Sequence, residues 1–213
     1  NEPALTPSQA ARALVSIQEF GLCGFGMGRL YHAGARCTGA IVFLVQGDNL
    51  FQTLALNLLA YPDEALPGRA DEADRPVWEM DDPFSPERSV PLGYLDYLTW
   101  QNRRILFFPE TLNGQIVVRR MTEAPAPRLK QDILDPFQHY ERSSSGGPRP
   151  LSFREGRALW RDSAALLQLN VKGFRPPKTF DWLANLTYED CLDPEETRRY
   201  LALGMASKQQ KVF

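Results

Sequence analysis

The sequence predicts an α+β fold in which helices and β-hairpins occupy separate stretches of one irregular domain. Apolar residues recur at helical spacing in several segments, beginning with Leu14 and Ile17 beside Ala10 and Ala13. Residues 103–108 and 115–121 instead alternate like strands, and Asn113-Gly114 between them is a strong hairpin signal. Of 213 residues, 43% are apolar, enough for a core, yet no run approaches the roughly 18 apolar residues of a membrane span. No internal repeat is visible.

Thr6-Pro7-Ser8-Gln9 opens the first helix: Thr6 caps it, Pro7 suits the first turn and Gln9 completes a capping box. Gly21 ends it. Residues 21–39 then hold six glycines, tightest at Gly24-Phe25-Gly26-Met27-Gly28-Arg29. Residues 40–45 are an apolar β-type run, read as a buried strand. Gly47-Asp48-Asn49 turns the chain into a helix over 50–59, whose apolar positions cover nearly all sides and predict a core helix. Residues 62–86 form an acidic, Pro-rich loop with eight acidic and two basic side chains, interrupted by Pro76-Val77-Trp78-Glu79, which is expected to anchor it.

A short helix is expected over 92–100, followed by the Asn113-Gly114 hairpin. A second hairpin, 137–142 with 149–153, surrounds Ser143-Ser144-Ser145-Gly146-Gly147. Helices follow over 157–167 and 179–186. Asp193-Pro194-Glu195-Glu196 is expected to cap a last helix ending at Leu203. Residues 204–213 read as a connector carrying Lys208-Gln209-Gln210-Lys211.

Catalytic signatures are absent. His32 and His139 lack carboxylate or cysteine partners at ligand spacing, so no metal is expected. Cys23, Cys37 and Cys191 form neither a disulfide framework nor a C-x-x-C pair; reduced thiols fit a cytoplasmic protein. Asp81-Asp82 reads as solvated loop, and there is no G-x-S-x-G elbow. No cofactor is implied, and the sequence favours binding over catalysis. Net charge is −2, but residues 1–100 carry 6 basic and 13 acidic side chains and residues 101–213 carry 18 and 13. The basic second half hints at nucleic-acid contact.

The glycine cluster fits neither phosphate motif. Its spacing is G-x-G-x-G rather than G-x-G-x-x-G, and Gly28 is followed by Arg29-Leu30 rather than Lys-Ser/Thr. It is either a plain flexible connection or a backbone that lies close to a polyanion. Alternative functions are a phosphate-binding enzyme built on residues 24–28 and a scaffold that contacts only protein.

Seven stretches in order resemble the CasA family, the large subunits of type I-E CRISPR Cascade surveillance complexes: LTPSQAARALVSIQEFG, GDNLFQTLALNLL, RPVWEMDDP, GYLDYLTWQNRR, DPFQHYERSSSGG, REGRALWRD and LALGMASKQQKV. The resemblance spans nearly the whole chain and implies a central DNA-reading domain over 1–213, a fragment or ordered part of a longer protein. The family's N-terminal part, with a loop that meets the guide RNA's 5′ handle, would precede Asn1. Its C-terminal helical bundle, lacking here, would follow Phe213.

The resemblance implies a non-enzymatic subunit that recognises a protospacer-adjacent motif (PAM) in double-stranded DNA. Such a subunit starts strand separation and R-loop formation and helps recruit a helicase–nuclease. Implied partners are target DNA, guide RNA (crRNA) and the other Cascade backbone and small subunits, with no membrane. The family's glycine loop corresponds to Gly24, Gly26, Met27 and Gly28, its basic hairpin residue to Arg142, and its glutamine wedge to Gln209 between Lys208 and Gln210. Met27 interrupts a loop more uniformly glycine in some relatives. Lys208 stands where a shorter polar residue is common, and Gln210 where a small one is. Arg142 also reads simply as a hairpin-end surface charge, and Gln209 as a connector glutamine.

Overall fold

The structure, a computed structural model, describes residues 4–22, 35–60, 73–130, 132–144, 146–153, 173–205, 207–208 and 211–212. Helix α1 (Pro7–Phe20) starts as its sequence dictates. Thr6 Oγ1 accepts from Gln9 N at 3.3 Å, and Gln9 Oε1 accepts from Thr6 N at 2.8 Å, a reciprocal capping box. Gly21 closes the helix by donating to Ile17 O at 2.9 Å.

After the short helix α2 (Arg36–Gly39), strand β1 (Val42–Gln46) is the spine of the fold. Side chains on both of its faces are covered, which explains its uninterrupted apolar run. Val42 joins Cys37, Leu59, Tyr94, Tyr97 and Phe137 in one core cluster. Ile41, just before the strand, and Phe43 pack with Leu151, while Val45 packs with Leu56 and Leu183.

Helix α3 (Leu50–Leu56) begins at Asn49, whose side chain accepts from Gln52 N. It is shorter than expected and is not a core helix. Leu50, Phe51 and Leu54, with Leu58 just beyond it, are 63–79% exposed; only Leu56 and Leu59 go inward. Asn57 decides this. Its amide exchanges hydrogen bonds with Val45 N (2.9 Å) and Val45 O (2.8 Å), copying a strand partner and turning one narrow face to β1.

Within the predicted acidic loop, a 3₁₀ turn (Val77–Glu79) anchors the chain: Val77 is buried and its N–H donates to Thr99 Oγ1. Asp81 and Asp82 are exposed, as expected. Asp74 is buried instead, and its two oxygens accept from Leu95 N and Asp96 N, capping helix α4 (Tyr94–Leu98) from twenty residues away in the chain.

Strands β2 (Arg103–Leu112) and β3 (Gln115–Pro125) form the expected hairpin, with β2 reaching closer to the turn and β3 farther toward the open end than the alternation indicated. Asn113 (φ 51°) and Gly114 (φ 75°) both occupy the left-handed region that a two-residue turn of this hand requires. The register shifts between Phe108 and Pro109, a bulge that accommodates the missing proline N–H. The second hairpin is also present, as strands β4 (Tyr140–Arg142) and β5 (Pro148–Pro150), with β6 (Phe174–Arg175) on the other side of β4. Helix α5 (Lys178–Tyr188) follows. The helix expected over 157–167 lies outside the described residues.

The last predicted helix is a strand. β7 (Arg199–Leu203) pairs antiparallel with β1, from Val42 opposite Leu203 to Gln46 opposite Arg199. Without it, the backbone groups along that edge of β1 would be left without partners in the core. Asp193 makes only a local turn, its carboxylate accepting from Glu195 N. The expected connector contains two further short strands, β8 (Ser207–Lys208) and β9 (Lys211–Val212), paired antiparallel. The α+β class therefore holds, as small antiparallel sheets among short helices. Among the described residues, no helix is long and apolar enough to cross a membrane.

Candidate nucleic-acid interface

The root of the glycine segment is tightly built. Ala35 N donates to Gly21 O at 3.0 Å, so the chain returns beside the point where it leaves α1. Arg103, buried at the start of β2, donates from Nη2 to Leu22 O at 3.0 Å and faces Glu123 at 3.5 Å. Gln18 ties the same corner: its amide donates to Arg103 O, and its oxygen accepts from Asn102 N. Gly21 is glycine because of a close approach. A Cβ there would stand 2.6 Å from Arg103 Cζ and 2.5 Å from Ile17 O. Gly24, Gly26, Met27 and Gly28 themselves lie outside the described residues.

Arg142 ends β4. Its N–H donates to Gly173 O at 2.8 Å, and the turn that follows is closed by Ser143 N to Gly147 O, also 2.8 Å. Gly146 (φ 91°) and Gly173 (φ 93°) adopt the left-handed backbone on either side of it. Arg142 is exposed, and its guanidinium has no ion-pair partner among the described residues. The neighbouring Glu141 is held by Arg149 across the hairpin.

Lys208 lies in β8, backbone-paired with Lys211; Gln209 and Gln210 lie outside the described residues. The approach to β8 is fixed. Met205 N donates to Cys37 O at 2.7 Å, and a Cβ on Gly204 would meet Ala40 O at 2.8 Å and the Phe153 ring at 3.0 Å.

These three supports meet at one end of β1. The glycine segment returns at Ala35, directly before α2 and β1. β7 leaves at Leu203, opposite Val42. The chain leading into β4 runs antiparallel to β1 past Val42, through the Val42–Gln138 bridge and the Phe43 N to Phe137 O bond, so Arg142 lies beyond that same end. A buried polar network holds the corner. Arg36 Nε meets Asp135 Oδ2 at 2.8 Å, Asp135 Oδ1 accepts from Phe137 N, and Tyr140 donates to Gln138 Oε1. Burial works most strongly against the Arg36 charge, but Asp135, Tyr97, Glu19 and Cys37 together outweigh it and raise the guanidinium pKa.

The titratable groups here are poorly suited to proton or group transfer. Burial pushes the Cys37 thiol up to about 11 and raises the Tyr97 phenol well above its usual value. His139, directly before β4, is fully buried against Phe174, and neither ring nitrogen has a hydrogen-bond partner among the described residues. Burial lowers its pKa, against an opposing pull from Glu141. A buried base with a lowered pKa stabilises the fold fully above the unfolded value of 6.5. That stability is lost as pH falls from there through the lowered folded pKa. Urea melts should therefore show a stability loss below pH 6.5 that His139→Phe reduces; identical pH profiles would refute this. No group of three or more metal-ligating side chains exists among the described residues.

Sequence reasoning missed Arg103 in this site and Asp74 beneath α4. Arg103 read only as the start of a strand, and Asp74 as one more acid in a solvated loop. Neither carries a local signal, because each acts on residues distant in sequence.

This architecture is that of a CRISPR-associated protein. The CasA (Cse1) structure from Thermus thermophilus matches all of this chain with a TM-score of 0.75 at 27% identity, over 46% of its own length. A chain of a solved structure described as a CRISPR RNA-guided surveillance complex, pre-nicking, matches 99% of this one with a TM-score of 0.66 at 25% identity, over 42% of that chain. Residues 1–212 match the family described as CRISPR-associated protein Cse1, and the chain belongs to that family. The curated CasA/Cse1 protein of Thermus thermophilus is 31% identical over the whole of this chain, which spans 42% of that relative's length.

Proposed function

We propose that this chain is a DNA-reading, non-catalytic subunit of an RNA-guided CRISPR surveillance complex. It recognises a PAM in double-stranded DNA, begins strand separation and R-loop formation, and helps recruit a helicase–nuclease. Its partners are guide RNA, the other Cascade subunits and target DNA, in the cytoplasm. Family membership and a relative's place in a surveillance complex support this reading. The observation that carries it is the meeting, at one end of β1, of the roots of the glycine segment, the Arg142 hairpin and the chain carrying Lys208.

The minor groove is about 6 Å wide and its base code is degenerate, so slim glycine backbone suits it better than a helix. An unpaired arginine complements its negative potential. A side chain inserted between base pairs must offset a few kcal/mol per unstacked step, the role assigned to Gln209. Once the duplex opens, guide pairing reads the sequence.

Arg142→Ala, assembled with guide RNA and backbone subunits, should bind PAM-bearing duplex several-fold more weakly. Its slope of log affinity against log salt should fall by about 0.9, the loss of one phosphate contact. Unchanged affinity and slope would remove Arg142 from the interface. Failure of the chain to associate with guide RNA and backbone subunits would overturn the wider reading.

A further inference from the structure

The outward face of the β2–β3 hairpin has no role in the site described above. Arg104, Leu106 and Phe108 alternate along one face of β2, opposite Ala124, Thr122 and Arg120 of β3. Leu106 is 58% exposed and Phe108 42%. The other face of the strand carries Arg103, buried against the end of α1. Both outward arginines are exposed, and neither has an ion-pair partner among the described residues.

Each guanidinium is held over an aromatic ring. Arg104 lies 5.3 Å from the Phe84 centroid and donates from Nε to Pro125 O, which leaves its Nη groups for a ligand. Arg120 lies 5.9 Å from the Phe108 centroid. The next residue along the face, Glu110, is neutralised by Arg119 at 3.5 Å. Arg104 and Phe108, with Arg120 opposite it, are four residues apart along the ribbon, about 14 Å. The face thus sets apolar and aromatic surface between two separated, uncompensated positive charges.

We propose that this face binds single-stranded DNA, with Arg104 and Arg120 on separate phosphates and a base stacked on Phe108. Single-strand sites elsewhere combine a cationic track with sequence-tolerant aromatic platforms. An acidic protein surface would satisfy the arginines but would leave Leu106 and Phe108 without apolar cover. The inference rests on the function proposed above, because opening a duplex produces an unpaired strand.

The test uses the whole 213-residue chain and a short fluorescein-labelled oligothymidine, read by fluorescence anisotropy across a salt series. R104E/R120E should weaken binding at least tenfold, and the salt slope should fall by about 1.4, or 0.7 per lost phosphate contact. Phe108→Ala should weaken it about tenfold, whereas Phe108→Tyr retains the platform and near-normal affinity. R104K/R120K retains the charge and most of the binding, separating charge loss from misfolding. Unchanged affinity and slope in R104E/R120E would overturn the proposal. So would equal losses for Phe108→Ala and Phe108→Tyr, tighter binding of oligouridine than oligothymidine, or competition by polyglutamate as strong as by unlabelled oligothymidine. This assay needs neither a PAM nor the assembled complex, so its failure is distinguishable from a failure of Arg142→Ala on duplex DNA.

Discussion

Asp96→Ala should cost the chain about 3–5 kcal/mol of stability, the usual penalty for removing one partner of a buried ion pair. Asp96 is fully buried. Its two oxygens take hydrogen bonds of 2.6 and 2.8 Å from Arg88 Nη2, and one also accepts from Leu92 N at 2.8 Å. Arg88 lies over the Trp100 ring at 4.4 Å and donates to Pro83 O, so it cannot easily turn out to water. Alanine would leave its charge uncompensated and the Leu92 N–H without an acceptor. At roughly 2–4 °C per kcal/mol for a chain of this size, the midpoint should drop by roughly 6–20 °C in a calorimetric melt. Asp96→Asn keeps an acceptor and the shape, and should lose less. A midpoint within about a degree of wild type for Asp96→Ala would show that the pair contributes nothing net.

Gly21→Val should reduce stability by about 1–3 kcal/mol through overpacking and should also impair DNA binding. The backbone there, φ −65° and ψ 127°, suits any residue, so the effect comes from contact rather than torsional strain. The new Cβ would meet Ile17 O at 2.5 Å and the Arg103 guanidinium at 2.6 Å. Ile17 O belongs to the helix backbone and cannot yield cheaply. Arg103 is buried and held by Leu22 O and Glu123. Relief therefore requires displacing Arg103, which releases the root of the glycine segment. In the assembled complex, PAM-duplex affinity should fall more than for an exposed control such as Ser8→Ala. Melting and affinity both equal to wild type would show that the root is not a constraint.

Sequence revealed what local chemistry decides. The capping box at Thr6 and Gln9, the Asn113-Gly114 turn and the serine-glycine turn after Arg142 are all short-range, and all three are present. It misled where a distant partner decides. Residues 199–203 followed a plausible helix cap, but the open edge of β1 took them as a strand. The helix after Asn49 looked apolar all round, and only the Asn57 amide on Val45 reveals which narrow side turns inward. Asp74 looked like one solvated acid among eight, because its ligands are amides on α4. Within the candidate site, the place of Arg142 at the end of a hairpin strand was legible from the turn residues that follow it. The close packing of Arg103 and Gly21 was not, because it joins two segments eighty residues apart.

The bond between Gly21 and Ala35 makes the intervening segment modular. Both ends are fixed to the fold at one point, so a change in the number of residues between them alters the entropy of closing the loop without moving those ends. That cost grows only logarithmically, about 0.6 kcal/mol for each doubling of length. Within this family, selection can therefore lengthen, shorten or rewrite the loop while β1 and its core stay unchanged. Under the function proposed above, the same fold would serve as a fixed holder for interchangeable reading heads, and a change in the DNA motif would not have to be matched by changes in the core.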